Sequence, residues 1–177
     1  NKHQMSHFHH VNFLWDDAKA ASLDPVERLV YRSNLLGSDL RITNHGGGNT
    51  SAKIWQPDPL SGQPTEVLWV KGSGGDLGSM ALDGFATLSM EKLRSLRPLY
   101  QGHAHEDDMV AYLPHCTFNL NPRPSSIDTP LHSFIPHAHV DHTHPNAAIS
   151  VAACANSVEV TKAIYGDEVV HIPWMRP

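Results

Sequence analysis

The segment "HVDHTHP", residues 139–145, carries the strongest chemical signal in a chain unusually rich in histidine, with 14 among 177 residues. In an extended strand alternate side chains share a face. His142 and His144 then project together, while His139, Asp141 and Thr143 point the other way. Two imidazoles at that separation can chelate one divalent ion, a donor set that suits Zn²⁺. A His-rich strand that faces solvent or packs in a core is the plain alternative. The opposite face offers a different metal, because His139 and Asp141 form H-x-D, part of an iron facial triad.

Three further segments have the makings of an anion site. In "GGGNTS", residues 46–51, glycines let the backbone approach an anion while Asn49, Thr50 and Ser51 offer hydrogen bonds. The segment lacks the Lys-Ser/Thr of a Walker loop and the spacing of a dinucleotide fingerprint, and an ordinary glycine turn explains it equally. In "KGSGGDL", residues 71–77, a strand ends in Gly-Ser-Gly-Gly, leaving amide N–H groups and the Ser73 hydroxyl free to face an oxyanion. A flexible connection is the bland reading there. In "SSIDTP", residues 125–130, the hydroxyls of Ser125 and Ser126 precede a helix start, with Asp128 at the same entrance. Asp128 is also a natural N-cap.

These side chains need a scaffold. Asp24, Pro25 and Glu27 write a capping box, and Val26, Leu29, Val30 and Leu36 an apolar stripe, so a helix is expected over residues 24–36 with Gly37 as its stop. "NTSAKIW" and "TEVLWVKG" read as a hairpin across the turn-rich "QPDPLSGQP", and "GFATLS" as a short strand before a helix through Met90, Leu93 and Leu96. Helices are expected over residues 107–113, from the "DTPLHSFI" start, over 145–155 and over 158–165. "HVDHTH" and "EVVHIPW" read as strands. The interleaving predicts an α/β fold: three layers, α/β/α, around a central mixed, largely antiparallel sheet.

Composition narrows the function. Thirteen basic against 18 acidic residues give a net charge of −5, which argues against a nucleic-acid groove or an anionic membrane surface. No apolar run approaches the ~20 residues of a transmembrane helix. Cys116 and Cys154 cannot build a disulfide scaffold and read as buried free thiols in a reducing cytoplasm. Residues 1–15 read as a His-rich tail, native or tag-derived, and residues 16–177 as one domain, expected to be cut short at its C-terminus.

The four segments, in this order, resemble the class II aldolase/adducin family, whose Gly-Asn-Thr/Ser-Ser turn, Lys-x-Ser-Gly turn, Ser-Ser-acid helix entrance and His-x-His strand correspond to "GGGNTS", "KGSGGDL", "SSID" and "HTHP". The likeness runs over roughly residues 16–173. The phrases "WDDAKAA", "LVYRSNLLGSD" and "CTFNLNPRPSSIDTPLH" resemble a narrower branch, the bifunctional rhamnulose-1-phosphate aldolase/alcohol dehydrogenases.

The resemblance implies a zinc-dependent (or other divalent-metal) cleavage of a ketose 1-phosphate, rhamnulose 1-phosphate in that branch, to dihydroxyacetone phosphate and an aldehyde. It implies His142 and His144 as metal ligands, and Asn49, Thr50, Ser51, Ser73, Gly74, Ser125 and Ser126 as the phosphate cradle. Asp128 becomes the counterpart of the catalytic glutamate, displaced one place by Ile127 from the usual Ser-Ser-Glu. The third histidine ligand is expected beyond Pro177, so the fragment itself need not be active. A homotetramer is implied, and NAD only through a following dehydrogenase domain. His132 is assigned to support or packing, and His103 and His105 to the surface. The rival readings are a non-catalytic adducin-like binding module, a sugar-phosphate epimerase or dehydratase of the same family, and an iron oxygenase built on His139 and Asp141.

Overall fold

The computed structural model of the chain describes residues 11–175. Helix α1 (Asp17–Ser22) was not expected from the sequence, although its signal is present: Asp16 precedes an alanine-rich run and accepts a bond from the Lys19 amide at 3.0 Å. Helix α2 (Pro25–Gly37) forms as its capping box demands. Asp24 Oδ1 accepts from the amides of Val26 and Glu27, both at 2.8 Å, and the Glu27 carboxylate accepts from the Asp24 amide at 3.0 Å.

Strands β1 (Asn49–Pro57) and β2 (Pro64–Lys71) make the expected hairpin, with Ser51 opposite Val70 and Pro57 opposite Pro64. Strand β3 (Phe85–Ser89) joins β2, and β4 (His139–His142) joins β1. The sheet order is β3-β2-β1-β4, and every ladder among the described residues is antiparallel. The period-2 pattern divides its side chains between two cores. On one face Leu29 of α2 packs with Ala52, Met80 and Phe85. On the other, Leu68, Val70 and Leu88 meet helices α3 (Met90–Ser95) and α4 (Glu106–Tyr112) through Leu93 and Met109, with Phe134 of helix α5 (Thr129–Phe134) against the same cluster. The three layers expected from the sequence are therefore present. Each fully buried leucine contributes about 2 kcal/mol.

Beyond β4 the chain changes character. Helices α6 (Asn146–Ala152) and α7 (Ser157–Tyr165) pack on each other and bury no residue. The strand expected at "EVVHIPW" does not form: Val170 and Trp174 are each 85% exposed, and the segment joins no ladder among the described residues. An apolar alternating pattern is insufficient without a partner. Cys116 is buried as expected, and burial pushes its thiol pKa up, but Cys154 is exposed.

Of the expected N-terminal tail, residues 1–10 lie outside the described residues. Trp15 belongs to the fold, its ring 5.4 Å from that of Tyr31 and its Nε1 donating to Asp17. No helix among the described residues is long and apolar enough to cross a membrane.

Candidate functional site

The site gathers at the end of the sheet where β1 begins. Pairing β1 to β4 sets Asn49 opposite His142, and helix α5 lays His132 and Asp128 over the same face. Lys53 anchors that helix by donating to the carbonyls of Ile135 and His137 just past its C-terminus.

Asn49, only 2% exposed, is the centre of the hydrogen bonding. Its Nδ2 donates to Ser126 Oγ at 2.8 Å and to Asp128 Oδ2 at 2.9 Å. A carboxylate only accepts, so the amide nitrogen must lie on that side. Its Oδ1 then faces two ring nitrogens, His132 Nε2 at 2.8 Å and His142 Nδ1 at 3.0 Å, and both must donate. His132 Nδ1 is left as an acceptor and takes the Ser51 hydroxyl at 2.7 Å. Burial pushes the His132 pKa down to about 4, in keeping with a neutral ring.

With its proton on Nδ1, His142 presents a lone pair at Nε2, which lies 3.0 Å from His144 Nε2. Two nitrogens each about 2.05 Å from one tetrahedral zinc stand about 3.3 Å apart. The two imidazoles therefore fit one divalent ion with little movement. His144 lies past the strand end, and its ring reaches back only because residue 47 is glycine: a Cβ there would sit 2.7 Å from His144 Nδ1. At Gly48, φ is +72° and a Cβ would meet the His142 carbonyl at 2.7 Å. The glycine run thus accommodates the histidines. Among the described residues no group of three or more His, Cys, Asp or Glu is arranged to hold a metal, so these two rings are the nucleus of such a site.

The other two turns meet beside this pair. Gly72 bridges to Ser125, and the Ser73 amide donates to the Pro124 carbonyl at 2.8 Å. This joins Ser73 and Gly74 to Ser125 and Ser126. Gly74 and Gly75 adopt φ of +76° and +82°, and nothing lies within 4 Å of a Cβ built on Gly74. Two cations border the turn. Arg123 Nη1 lies 3.0 Å from a Cβ built on Gly75 and has no acidic partner among the described residues. Lys71 is 4% exposed; burial pushes its pKa down, opposed by Asp76 and Asp128. The cradle expected from the sequence consists of serines, a glycine, a threonine and an asparagine and includes neither cation.

Besides Asn49, two residues assigned to that cradle are engaged within the protein, Thr50 on the opposite face of β1 and Ser51 on the same face as Asn49. Thr50 is fully buried on the α2 side, its hydroxyl 2.6 Å from that of Ser33, and Ser51 is spent on His132. Strand alternation sends neighbouring side chains to opposite faces, so a run of three polar residues cannot line one pocket.

Asp128 stands at the N-cap position of α5 but makes no capping bond. Its Oδ2 accepts from Asn49 and from Ser126 Oγ at 3.0 Å, and lies 3.6 Å from His142 Nδ1. His142 is the largest influence holding this carboxyl well below the usual range, burial opposes it, and Ser126 and Asn49 reinforce it. Oδ1 has no hydrogen-bond partner among the described residues.

The iron reading fails on the far face of β4. Arg32 donates to Asp141 Oδ1 at 2.9 Å, to His139 Nδ1 at 3.1 Å and to the Ser51 carbonyl at 2.7 Å. A guanidinium occupies the place a cation would need. His103 and His105 lie in an exposed turn, and His171 Nε2 is 3.2 Å from Ser157 Oγ, at the start of α7.

An α/β/α sandwich with paired imidazoles beside a serine- and glycine-lined turn at one sheet end defines a class, and comparison agrees. Residues 27–177 match the family described as Class II Aldolase and Adducin N-terminal domain, and the chain belongs to that family. It is 46% identical over 169 residues to a Bacillus subtilis (strain 168) protein named "Uncharacterized oxidoreductase YuxG", covering 94% of this chain and 24% of that one. The chain thus spans about a quarter of this relative's length. It is also similar to the solved N-terminal class II aldolase domain of a conserved Thermoplasma acidophilum protein, with a TM-score of 0.77 and 30% identity, covering 94% of this chain and 73% of that one.

Proposed function

We propose that this chain is the metal- and phosphate-binding domain of a divalent-metal-dependent aldolase that cleaves a ketose 1-phosphate, with rhamnulose 1-phosphate the first candidate, to dihydroxyacetone phosphate and an aldehyde. The observation that carries this reading is the approach of His142 Nε2 to His144 Nε2, 3.0 Å apart, beside a turn lined by serines and flanked by two cations.

The substrate phosphate would lie against the amides of Gly74 and Gly75 and the hydroxyls of Ser73 and Ser125, with Ser126 joining once its hydroxyl leaves Asp128 and with Lys71 and Arg123 countering the charge. That anchor fixes the carbon chain with its ketone toward the two rings, which converts an encounter into a positioned reaction. His142 and His144 would hold zinc or another divalent ion, which when bound would supply Lewis-acid polarisation of the ketone. Breaking the C3–C4 bond removes a proton from the C4 hydroxyl and returns one to C3. Asp128 Oδ1, without a hydrogen-bond partner among the described residues and on a side chain about one-third exposed, is the atom in this chain suited to carry it. Its depressed pKa makes it a weak base until substrate displaces the bonds on Oδ2.

The name of the B. subtilis relative is consistent with this reading if its oxidoreductase activity resides in the part of that protein the chain does not match. A homotetramer and a cytoplasmic setting complete the proposal. The test is metal analysis joined to a retro-aldol assay on rhamnulose 1-phosphate with the full chain. Stoichiometric zinc and chelator-sensitive product are expected. Product formation that persists in chelator would falsify the metal role, and absence of any metal would favour a binding module.

A further inference from the structure

The family resemblance assigns Asn49 to phosphate, yet in this structure every hydrogen-bonding position of its side-chain amide is already engaged within the protein. A primary amide has two N–H donors and two acceptor positions on oxygen. Here both donors go to Ser126 and Asp128, and both acceptor positions take ring N–H groups from His132 and His142. The residue is 2% exposed, and His132 behind it is fully buried with both ring nitrogens engaged.

We propose that Asn49 is a positioning residue for His142: braced from behind by His132 and Ser51, its side-chain oxygen holds the His142 proton on Nδ1 and keeps the Nε2 lone pair turned toward His144. The inference about metal affinity rests on the metal-site reading above; the tautomer does not.

The physical basis is the bond made by the other ring nitrogen. Whichever nitrogen donates to a fixed acceptor decides which one is free to ligate, and such a partner also fixes the ring plane. The acceptor is held with unusual completeness. Asn49 sits opposite His142 in the β1–β4 ladder, its nitrogen is tied to the α5 entrance, and its oxygen is shared with a ring anchored to Ser51, two residues along the same strand. Rotating the amide would turn N–H groups toward two ring N–H groups and an oxygen toward the Asp128 carboxylate. The network therefore has one satisfied arrangement.

The test is made on the full chain in two stages. Long-range ¹H–¹⁵N spectra of the metal-free protein read the His142 tautomer directly, and the Nδ1–H form is expected in the wild type. Asn49→Ala should shift His142 toward the Nε2–H form. It should also weaken Zn²⁺ binding, measured by chelator competition without substrate, by about 10- to 100-fold, and leave binding of inorganic phosphate within about twofold.

Should Asn49→Ala fail to fold, His132→Leu and His132→Gln carry the same question. Leucine removes the donor behind the amide and should weaken Zn²⁺ binding several-fold, while glutamine retains a donor and should restore most of it. A wild-type proton on Nε2 overturns the proposal, as does an Asn49→Ala chain that binds Zn²⁺ normally but loses phosphate. A wild type that holds the Nδ1–H form yet takes up no divalent metal removes the aldolase reading and supports this one.

Discussion

The start of β1 pairs with β4 and the α6–α7 hairpin follows β4 in the chain, yet the two are built by opposite rules. At the start of β1, Asn49, Ser51, Ser126, Asp128, His132 and His142 satisfy one another across 77 to 93 residues of sequence. In α6 the side-chain bonds are local, Ser150 Oγ to the Asn146 carbonyl and Cys154 Sγ to the Ser150 carbonyl. The apolar residues of α7 and the following segment, Ile164, Val170 and Trp174 among them, remain uncovered. A buried polar group left unpaired costs about 1–3 kcal/mol, so the network at the sheet end defends its geometry, whereas the hairpin can open locally at little cost. Precision at this site comes from long-range satisfaction rather than from helix or strand propensity.

The largest effect that would break the contrast is functional. His142→Ala or His144→Ala should remove stoichiometric metal and lower cleavage by roughly 10³-fold or more. The melting temperature should hardly move, because His142 is about one-third exposed. Leu68→Ala, in a fully buried position, should cost about 2–5 kcal/mol in denaturant titrations, whereas Ile164→Ala, at 57% exposure, should stay within about 0.5 kcal/mol. Equal losses would erase the distinction between the two regions.

Acid should act on the network. His132 is lowered to about 4 in the folded chain from 6.5, so its contribution is complete above pH 6.5 and is lost as pH falls toward 4, since the unfolded chain binds the proton first. That loss amounts to about 3 kcal/mol. Asp128, depressed in the fold, adds stability above its ordinary range near 4 that disappears at still lower pH. Unfolding free energies measured between pH 7 and 4.5 should fall for the wild type and stay flatter for His132→Gln. Smallest of all, Arg123→Ala should raise the KM for a phosphorylated substrate up to about tenfold at low salt, with the difference shrinking as salt is added.

Much of this was legible in the sequence. The capping box of α2 and the β1–β2 hairpin follow from periods of 3.6 and 2 and from local turn chemistry, whereas His144, past the end of β4, meets His142 through space left by Gly47. Asp128 was legible only as an acid at a helix start; whether it caps or turns inward depended on Asn49, 79 residues away. Thr50 and Ser51 looked like ligand contacts because a glycine-rich turn and a strand start share a composition, and only the registered sheet shows their hydroxyls turned to Ser33 and His132. "EVVHIPW" has the apolar alternation of a strand but pairs with no strand among the described residues.

By itself the sequence determined helix α2, the β1–β2 hairpin and the alternation of faces along each strand, because those choices are made within a few residues by backbone sterics and side-chain period. The tertiary structure alone decided what each polar group meets: that an asparagine braces two rings, that an arginine fills the far face of β4, and that Nδ1 of His142 faces the Asn49 oxygen. Those outcomes depend on desolvated partners drawn from distant segments, and local pattern carries no record of them.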